Sequence, residues 1–220
     1  MTRSKPEAIP TRQRLLDAAQ THFVEHGLQH ASVRAITALA SANPASVVYY
    51  FGSKEELFEA VLNRCVESLV RPRLAALDAL PADAASSRSE QLERLLRILA
   101  EPYVLNRADS HRPAAVYARF YGRMYAEPND IHRRVVKTGF EDLQQRYFSE
   151  LSRLLPDLAP GELSWRLVAI MSALVHVAAD TGVAQRIAPQ AAATDDQTLL
   201  DSLVKAFVGM LQAPGAAPAK

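Results

Sequence analysis

Residues 32–56 read SVRAITALASANPASVVYYFGSKEE, and the pattern in this stretch decides the fold. Val33, Ile36, Leu39 and Ala40 recur at helical spacing, which predicts one buried stripe on a short first helix. Ser41-Ala42 interrupt that pattern and Asn43-Pro44 restart it. Asparagine is a good N-cap, and proline suits the first helical position, where its missing N–H costs nothing. Val47 and Phe51, four residues apart, then face the first helix. Pro44, Ala45, Ser46, Val48, Tyr49 and Tyr50 are left on the outer side. A helix this short does not hold in water unless neighbours clamp it. Two short helices, a tight polar turn and small and aromatic outer residues together predict a helix-turn-helix whose second helix fits a DNA major groove.

Outward from this stretch, the chain reads as helix throughout. A first helix is expected over Thr11 to His26, with Leu16, Ala19 and Phe23 as its core stripe, ending at Gly27 in a left-handed C-terminal cap. Ser53 and Glu56 have the spacing of a capping box. They open a helix expected to reach about Leu80, with Pro72 kinking or dividing it. A loop over Pro81 to Ser89 precedes a helix from Gln91 to Leu105 with Leu92, Leu95, Leu96 and Leu99 on one face. Pro113 starts a helix to about Tyr125, and Pro128 a longer one to about Leu155. Pro156 to Gly161 separates that from a helix over Glu162 to Thr181. A polar loop and a second capping box, Thr194 with Gln197, then lead into a last helix ending near Gln212.

No alternating strand pattern and no internal repeat is present, so the expected class is all-α. The expected organisation is an arm and three-helix DNA-binding domain over 1–54. A larger helical ligand-binding and dimerisation domain follows over 55–212, then a disordered Ala/Pro-rich tail over 213–220.

Composition narrows the function classes. With 220 residues and 49% hydrophobic content the chain can bury a substantial core. One cysteine, Cys65, and an N-terminus unlike a signal sequence argue against disulfides and secretion. The richest apolar run, Leu167 to Ala179, is broken by Ser172 and His176, so a soluble, cytoplasmic protein with no membrane partner is expected. The net charge is only +1. Through Lys54, however, six basic residues (Arg3, Lys5, Arg12, Arg14, Arg34, Lys54) face three acids (Glu7, Asp17, Glu25), which places phosphate attraction at one end.

Over roughly Thr11 to Leu62 the chain resembles the TetR family of bacterial transcriptional regulators. The resemblance is carried by TRQRLLDAAQTHFVEHG, then ASVRAITALA, then NPASVVYYFGSKEELFEAVL. YYFGSKEELF is the most specific piece. The chain departs from the family at Ser41-Ala42, where glycine and an aliphatic residue are usual, and at Val48, where an aromatic residue is common. The resemblance implies a ligand-responsive regulator, most members being repressors. Such a regulator binds a palindromic double-stranded operator as a homodimer and releases it when a small-molecule effector enters the C-terminal domain.

Roles for individual residues follow from the resemblance and from side-chain chemistry. The resemblance places Arg34 at a guanine edge, which its fork matches at O6 and N7; the alternative is a solvated arginine. Tyr49 holds the aromatic position that meets a phosphate or a thymine methyl, and Tyr50 either joins it or packs inward. Lys54 stands in the first turn of its helix, where its charge opposes the helix dipole, a conflict that a nearby phosphate relieves. Ser32 and Ser46 offer hydroxyls to the DNA backbone, and Asn43 opens the reading helix. Pro44, Ala45 and Val48 offer only methyl contacts and shape.

For the dimer seam, the resemblance points to the last two helices. Leu199, Leu200, Leu203, Val204, Phe207, Val208 and Leu211 form an apolar stripe, and Ala169, Ser172, Ala173 and His176 offer mostly small residues. Ordinary packing within the chain competes for the same side chains. For the effector pocket, the candidates are Tyr103, Tyr117, Phe120, Tyr121, Met124 and Tyr125, followed by Phe140, Leu143, Tyr147, Met171 and His176. Plain core packing is the competing reading. Arg119 and Arg123, one turn apart, would anchor a carboxylate or phosphate. The expected effector is apolar or amphipathic, of the fatty-acid or acyl-CoA type.

Two other function classes compete with this reading. His22-Phe23-Val24-Glu25-His26 has the H-x-x-E-H spacing of one zinc-protease group, but Phe23 belongs to the core stripe and no third ligand stands out. A helical small-molecule-binding module without DNA binding is the other. No nucleophile elbow, phosphate-cradling loop or Cys/His cluster occurs, so no enzyme activity, metal or cofactor is expected.

Overall fold

The computed structural model describes residues 9–80, 86–126 and 129–215, with the backbone alone over 123–126. Its described residues contain helices and no strand. In order they are α1 (Thr11–His30), α2 (Val33–Leu39), α3 (Ala45–Phe51), α4 (Lys54–Asp78), α5 (Arg88–Val104) and α6 (Pro113–Ala126). Then come α7 (Asp130–Gly139), α8 (Glu141–Leu154), α9 (Pro160–Ala179), α10 (Val183–Ile187), a 3-10 turn (Pro189–Ala193) and α11 (Asp196–Gln212). The chain forms two compact units. One comprises the described residues of 1–64 with those of 120–136, the other those of 65–119 with those of 137–220, so the division falls inside α4.

The first unit packs α1, α2, α3 and the start of α4 around Leu15, Leu16, Ala19, Phe23, Ile36, Val47, Leu57 and Phe58. Phe23 meets Phe58 edge-to-face at 5.0 Å, and Phe58 meets Phe120 in the same way. Gly27, at φ 72° and ψ 177°, kinks α1 instead of closing it with the expected left-handed cap, and the helix runs on to His30. The stripe expected on α2 is partly wrong. Ile36 and Ala40 are buried, but Leu39 is exposed and Thr37 takes the inward place, its hydroxyl donating to the Arg34 carbonyl.

The second unit is built on α5, whose Leu92, Leu95, Leu96 and Leu99 are buried against α8, α9 and α11. Ser87 and Glu90 form a complete capping box, so α5 starts at Arg88 rather than Gln91; residues 81–85 of the expected loop lie outside the described residues. Pro128 also lies outside them, and the single helix expected beyond it is two. α7 stops at Gly139 and α8 starts after Phe140; Val66 approaches Gly139 so closely that a Cβ there would meet its Cγ1 at 2.6 Å. Pro72 does not divide α4. The polar loop before the last helix contains α10 and the 3-10 turn, and Asp195, not Thr194, caps α11 by accepting the Thr198 N–H.

Three arginines tie the helix ends of the second unit together. Arg112, buried, donates to the carbonyls of Tyr103 and Ala178, the closing turns of α5 and α9; burial holds its pKa below the usual range. Arg107 grips Asp196 through both its backbone N–H and its side chain. Arg166 donates to the carbonyls of Met210, Leu211, Ala213 and Pro214, so the first residues of the expected tail are fastened to α9.

Candidate nucleic-acid interface

The geometry of the turn follows from a left-handed residue. Ser41 has φ 48°; its N–H donates to the Ala38 carbonyl, and the Ala42 N–H donates to Thr37. This pair of bonds is a Schellman closure, which satisfies carbonyls that the end of α2 would otherwise leave open. Serine takes the conformation that glycine adopts without strain, so the substitution at Ser41 leaves the turn intact. The Asn43 carboxamide then accepts the Ala45 N–H at 2.9 Å and Pro44 is already helical, as the Asn-Pro pair predicts. Ser32 caps α2 by accepting the Ala35 N–H.

α3 buries Val47 and holds Phe51 half-buried, leaving one side open. Val48 is 66% exposed, Tyr49 79% and Tyr50 41%, so both tyrosines face outward. Their rings meet edge-to-face at 4.8 Å, each limiting the other's rotation. Pro44 and Ala45 are exposed on the same element, and Ser46 is half-buried.

The basic residues of this region divide into two groups. Arg14 donates to the Ala40 and Ile9 carbonyls, bracing the end of α2. Lys54 donates to the Leu28 and Ala31 carbonyls, so its conflict with the α4 dipole is met within the chain. Arg64, absent from the sequence-based candidates, ties α4 to α1 through Asp17, Gln20 and the Leu16 carbonyl. These three hold the frame. Arg34 is exposed on α2, and Arg12, also exposed, lies 5.2 Å over the Phe51 ring. Arg12 was not singled out from sequence, because only the tertiary contact brings the first turn of α1 to the end of α3. Arg3 and Lys5 lie outside the described residues.

The H-x-x-E-H pair has an internal role. His22 Nε2 accepts the Ser32 N–H at 3.2 Å beside the His26 ring. Burial and then the neighbouring His26 hold the His22 pKa below its ordinary value, against an opposite pull from Glu25. No group of three or more metal-ligating side chains occurs among the described residues.

The structure separates the effector candidates. Tyr103, Tyr117, Phe140, Leu143 and Tyr147 are buried in the second unit, with Tyr117 and Phe140 in ring contact at 5.3 Å. Phe120 and Tyr121 belong to the first unit. The side chains of Met124, Tyr125 and Arg123 lie outside the described residues, Arg119 is exposed, and Met171 is half-buried. His176 does not join the aromatic group: it is exposed on α9, next to Thr181.

The seam candidates also divide. Leu200, Val204, Phe207 and Leu211 are buried within the chain's own core, because α11 turns this stripe onto α5 and α9. Leu199, Leu203, Val208 and Ala173 are half-buried, and Ala169 and Ser172 are exposed. Trp165 and Val168, which the sequence reading passed over, are the large exposed apolar residues on α9. The signal for them was present: the apolar residues of α9 spread over more than one side, and one helix core accounts for only part of such a surface.

Comparison with known proteins agrees with this architecture. Residues 15–61 match bacterial regulatory proteins of the tetR family, and residues 97–210 match the tetracyclin repressor-like C-terminal domain. The chain is 39% identical over 62 residues to the HTH-type transcriptional regulator UidR of Escherichia coli K12, covering 28% of this chain and 32% of the relative. It is 34% identical over 89 residues to the dual regulator CecR of Shigella flexneri, covering 39% of this chain and 40% of the relative. The chain thus spans about a third of the length of the curated relatives it matches. A TetR-like regulator from Rhodococcus sp. RHA1 superposes with a TM-score of 0.61 at 22% identity over 94% of this chain and 100% of the other. One from Bordetella parapertussis 12822 does so with 0.64 at 16% identity over 91% and 95%. With both the helix-turn-helix and the C-terminal domain matched, the chain belongs to the TetR family of bacterial regulatory proteins.

Proposed function

We propose that this protein is a transcriptional regulator, acting as a repressor, that binds a two-fold symmetric operator as a homodimer and releases it when a small amphipathic molecule binds the second unit. One observation carries the DNA-binding part. Val48 and Tyr49 stand exposed on a helix whose opposite side is buried, with Arg34 and Arg12 exposed beside a frame held by Arg14, Lys54 and Arg64. Such an outward face on a braced short helix has little use in a protein that only stores a ligand. The intact Schellman turn also removes the main reason to favour a module without DNA binding.

In this reading Arg34 reaches a base edge, Tyr49 a phosphate or thymine methyl, and Arg12 a phosphate, while Pro44, Ala45 and Val48 read shape. Asn43, Ser32 and Lys54 position the elements, their polar groups being engaged by the chain itself. Replacing both Arg34 and Tyr49 by alanine should lower retention of promoter fragments at least tenfold, with the circular dichroism spectrum unchanged. Retention equal to that of the unmodified protein would overturn the assignment. α4 carries Lys54 in one unit and ends in the other, so effector-driven movement of this helix is the proposed route to the operator. A coupling of about 1–3 kcal/mol suffices for strong release.

A further inference from the structure

Arg73 is among the most thoroughly buried of the described side chains, at 2% exposure, yet no ion pair holds it among the described residues. Its Nε donates to the Leu69 carbonyl at 2.6 Å, beside the place where Pro72 removes a backbone bond from α4. Both terminal nitrogens, Nη1 and Nη2, have no hydrogen-bond partner. The guanidinium lies 5.2 Å over the Tyr103 ring and 6.0 Å from the centre of the Phe140 ring. The hydroxyls of Tyr103 and Tyr147 are buried and equally unpartnered. Burial raises the Tyr147 pKa while the Arg73 charge opposes the rise, and Tyr103 and Glu101 add to it, which puts these groups in one electrostatic neighbourhood.

Buried polar atoms are almost always paired, and a buried charge without a partner is among the costliest arrangements in a protein interior. Four unpartnered donor atoms here fall on one arginine and two tyrosines, with Arg73 over the Tyr103 ring and its charge acting on Tyr147. All are donors. The group that satisfies them is therefore an acceptor with negative charge, and with Nε occupied the arginine offers the end-on fork of Nη1 and Nη2, which matches the two oxygens of a carboxylate.

We propose that Arg73, Tyr103 and Tyr147 form the anion receptor of the effector site, and that the effector is a carboxylate on an apolar body. This deepens the proposed function, on which it rests, and moves the anchor from the exposed Arg119 to the interior of the second unit. Arg73 takes both carboxylate oxygens and the two hydroxyls close the remaining lone pairs; Phe140 and the tyrosine rings face the apolar body. Arg73 stands on α4, the helix that also bears Lys54, so the charge recognised and the element proposed to move belong to one segment.

The test uses the full chain with octanoate and phenylacetate as probes, against octanamide and phenylacetamide, read by thermal shift and calorimetry. Either carboxylate should raise the melting temperature of the unmodified protein where its amide does not. Arg73→Met should weaken carboxylate binding at least tenfold while melting at the same temperature or higher, since it removes a buried charge without a partner. Should Arg73→Met fail to fold, Tyr147→Phe serves in its place, with an expected loss of several-fold. Carboxylates and amides acting alike on the unmodified protein, or a folded Arg73→Met that binds carboxylates undiminished, would overturn the receptor. Retention of promoter fragments is measured in parallel. Carboxylate binding through Arg73 that leaves retention unchanged supports the receptor and refutes its coupling to DNA.

Discussion

Ser41 and His132 show how much a single side chain decides here. At φ 48°, Ser41 carries the left-handed strain of an L-residue, about 1–2 kcal/mol, which glycine would relieve at a smaller entropic cost in the unfolded chain. Ser41→Gly should therefore raise stability in urea by about 0.5–1 kcal/mol without changing DNA retention. The break at Ser41-Ala42 was legible in the sequence as a gap in the apolar spacing. The sign of φ was not, because it is set by the Schellman bonds to Ala38 and Thr37. His132 is buried on α7 with neither ring nitrogen partnered, and burial holds its pKa below the ordinary 6.5. The unfolded chain then binds a proton near that value while the folded chain does not. Stability is complete above about pH 6.5 and declines as pH falls toward the folded-state value. In thermal melts from about pH 7.5 to 5, His132→Leu should flatten this decline. His22, also lowered, supplies a second contribution, so His22→Gln in the same background should remove most of the rest. A variant as acid-sensitive as the parent would assign the loss to other groups.

At the scale of elements, legibility followed the range over which each signal acts. Asn43-Pro44 and the leucines of α5 were readable because capping and helical spacing work within one or two turns. The break between α7 and α8 was not: Phe140 gives α8 no side-chain capping bond, and the close approach of Val66 to Gly139 is a contact between distant parts of the chain. The Ser53–Glu56 box was read correctly in outline: Ser53 Oγ accepts the Glu56 N–H, and the carboxylate accepts the serine hydroxyl. For α11 the choice between Thr194 and Asp195 turned on one residue, and the carboxylate prevailed because it accepts both the N–H and the hydroxyl of Thr198. The same limit governs the site. Outer positions on α3 were legible from a short amphipathic pattern, and Val48, Tyr49 and Tyr50 are exposed as it requires. Arg12 over Phe51, and Arg73 alone among aromatic rings, arise only when separate helices meet. A sequence lists their charges but not their partners.

For the whole molecule, the decisive surface is the outer side of α9 and α11. Trp165, Val168, Ala169, Ser172 and His176 recur at helical spacing along α9, and Trp165 is 75% exposed. Half-buried Leu203 and exposed Ala206 and Met210 provide a corresponding line on α11. α9 is long and apolar enough by composition to cross a membrane; only part of it, including Leu163, Ile170 and Leu174, is buried in the chain. The remaining apolar surface is what a second copy of the chain would cover in the proposed homodimer, and a stable interface needs roughly 1,000 Å² or more in total. A tryptophan at such a position is a strong candidate for a binding hot spot. Trp165→Glu places a charge in the seam while leaving the chain's own core untouched, so the variant should sediment as a folded monomer with an unchanged helical spectrum. One helix-turn-helix makes too few contacts to hold an operator by itself, and promoter retention should fall with the dimer. A Trp165→Glu protein that remains dimeric would locate the seam away from α9. A monomer that retains DNA as well as the parent would instead separate operator binding from two-fold symmetry.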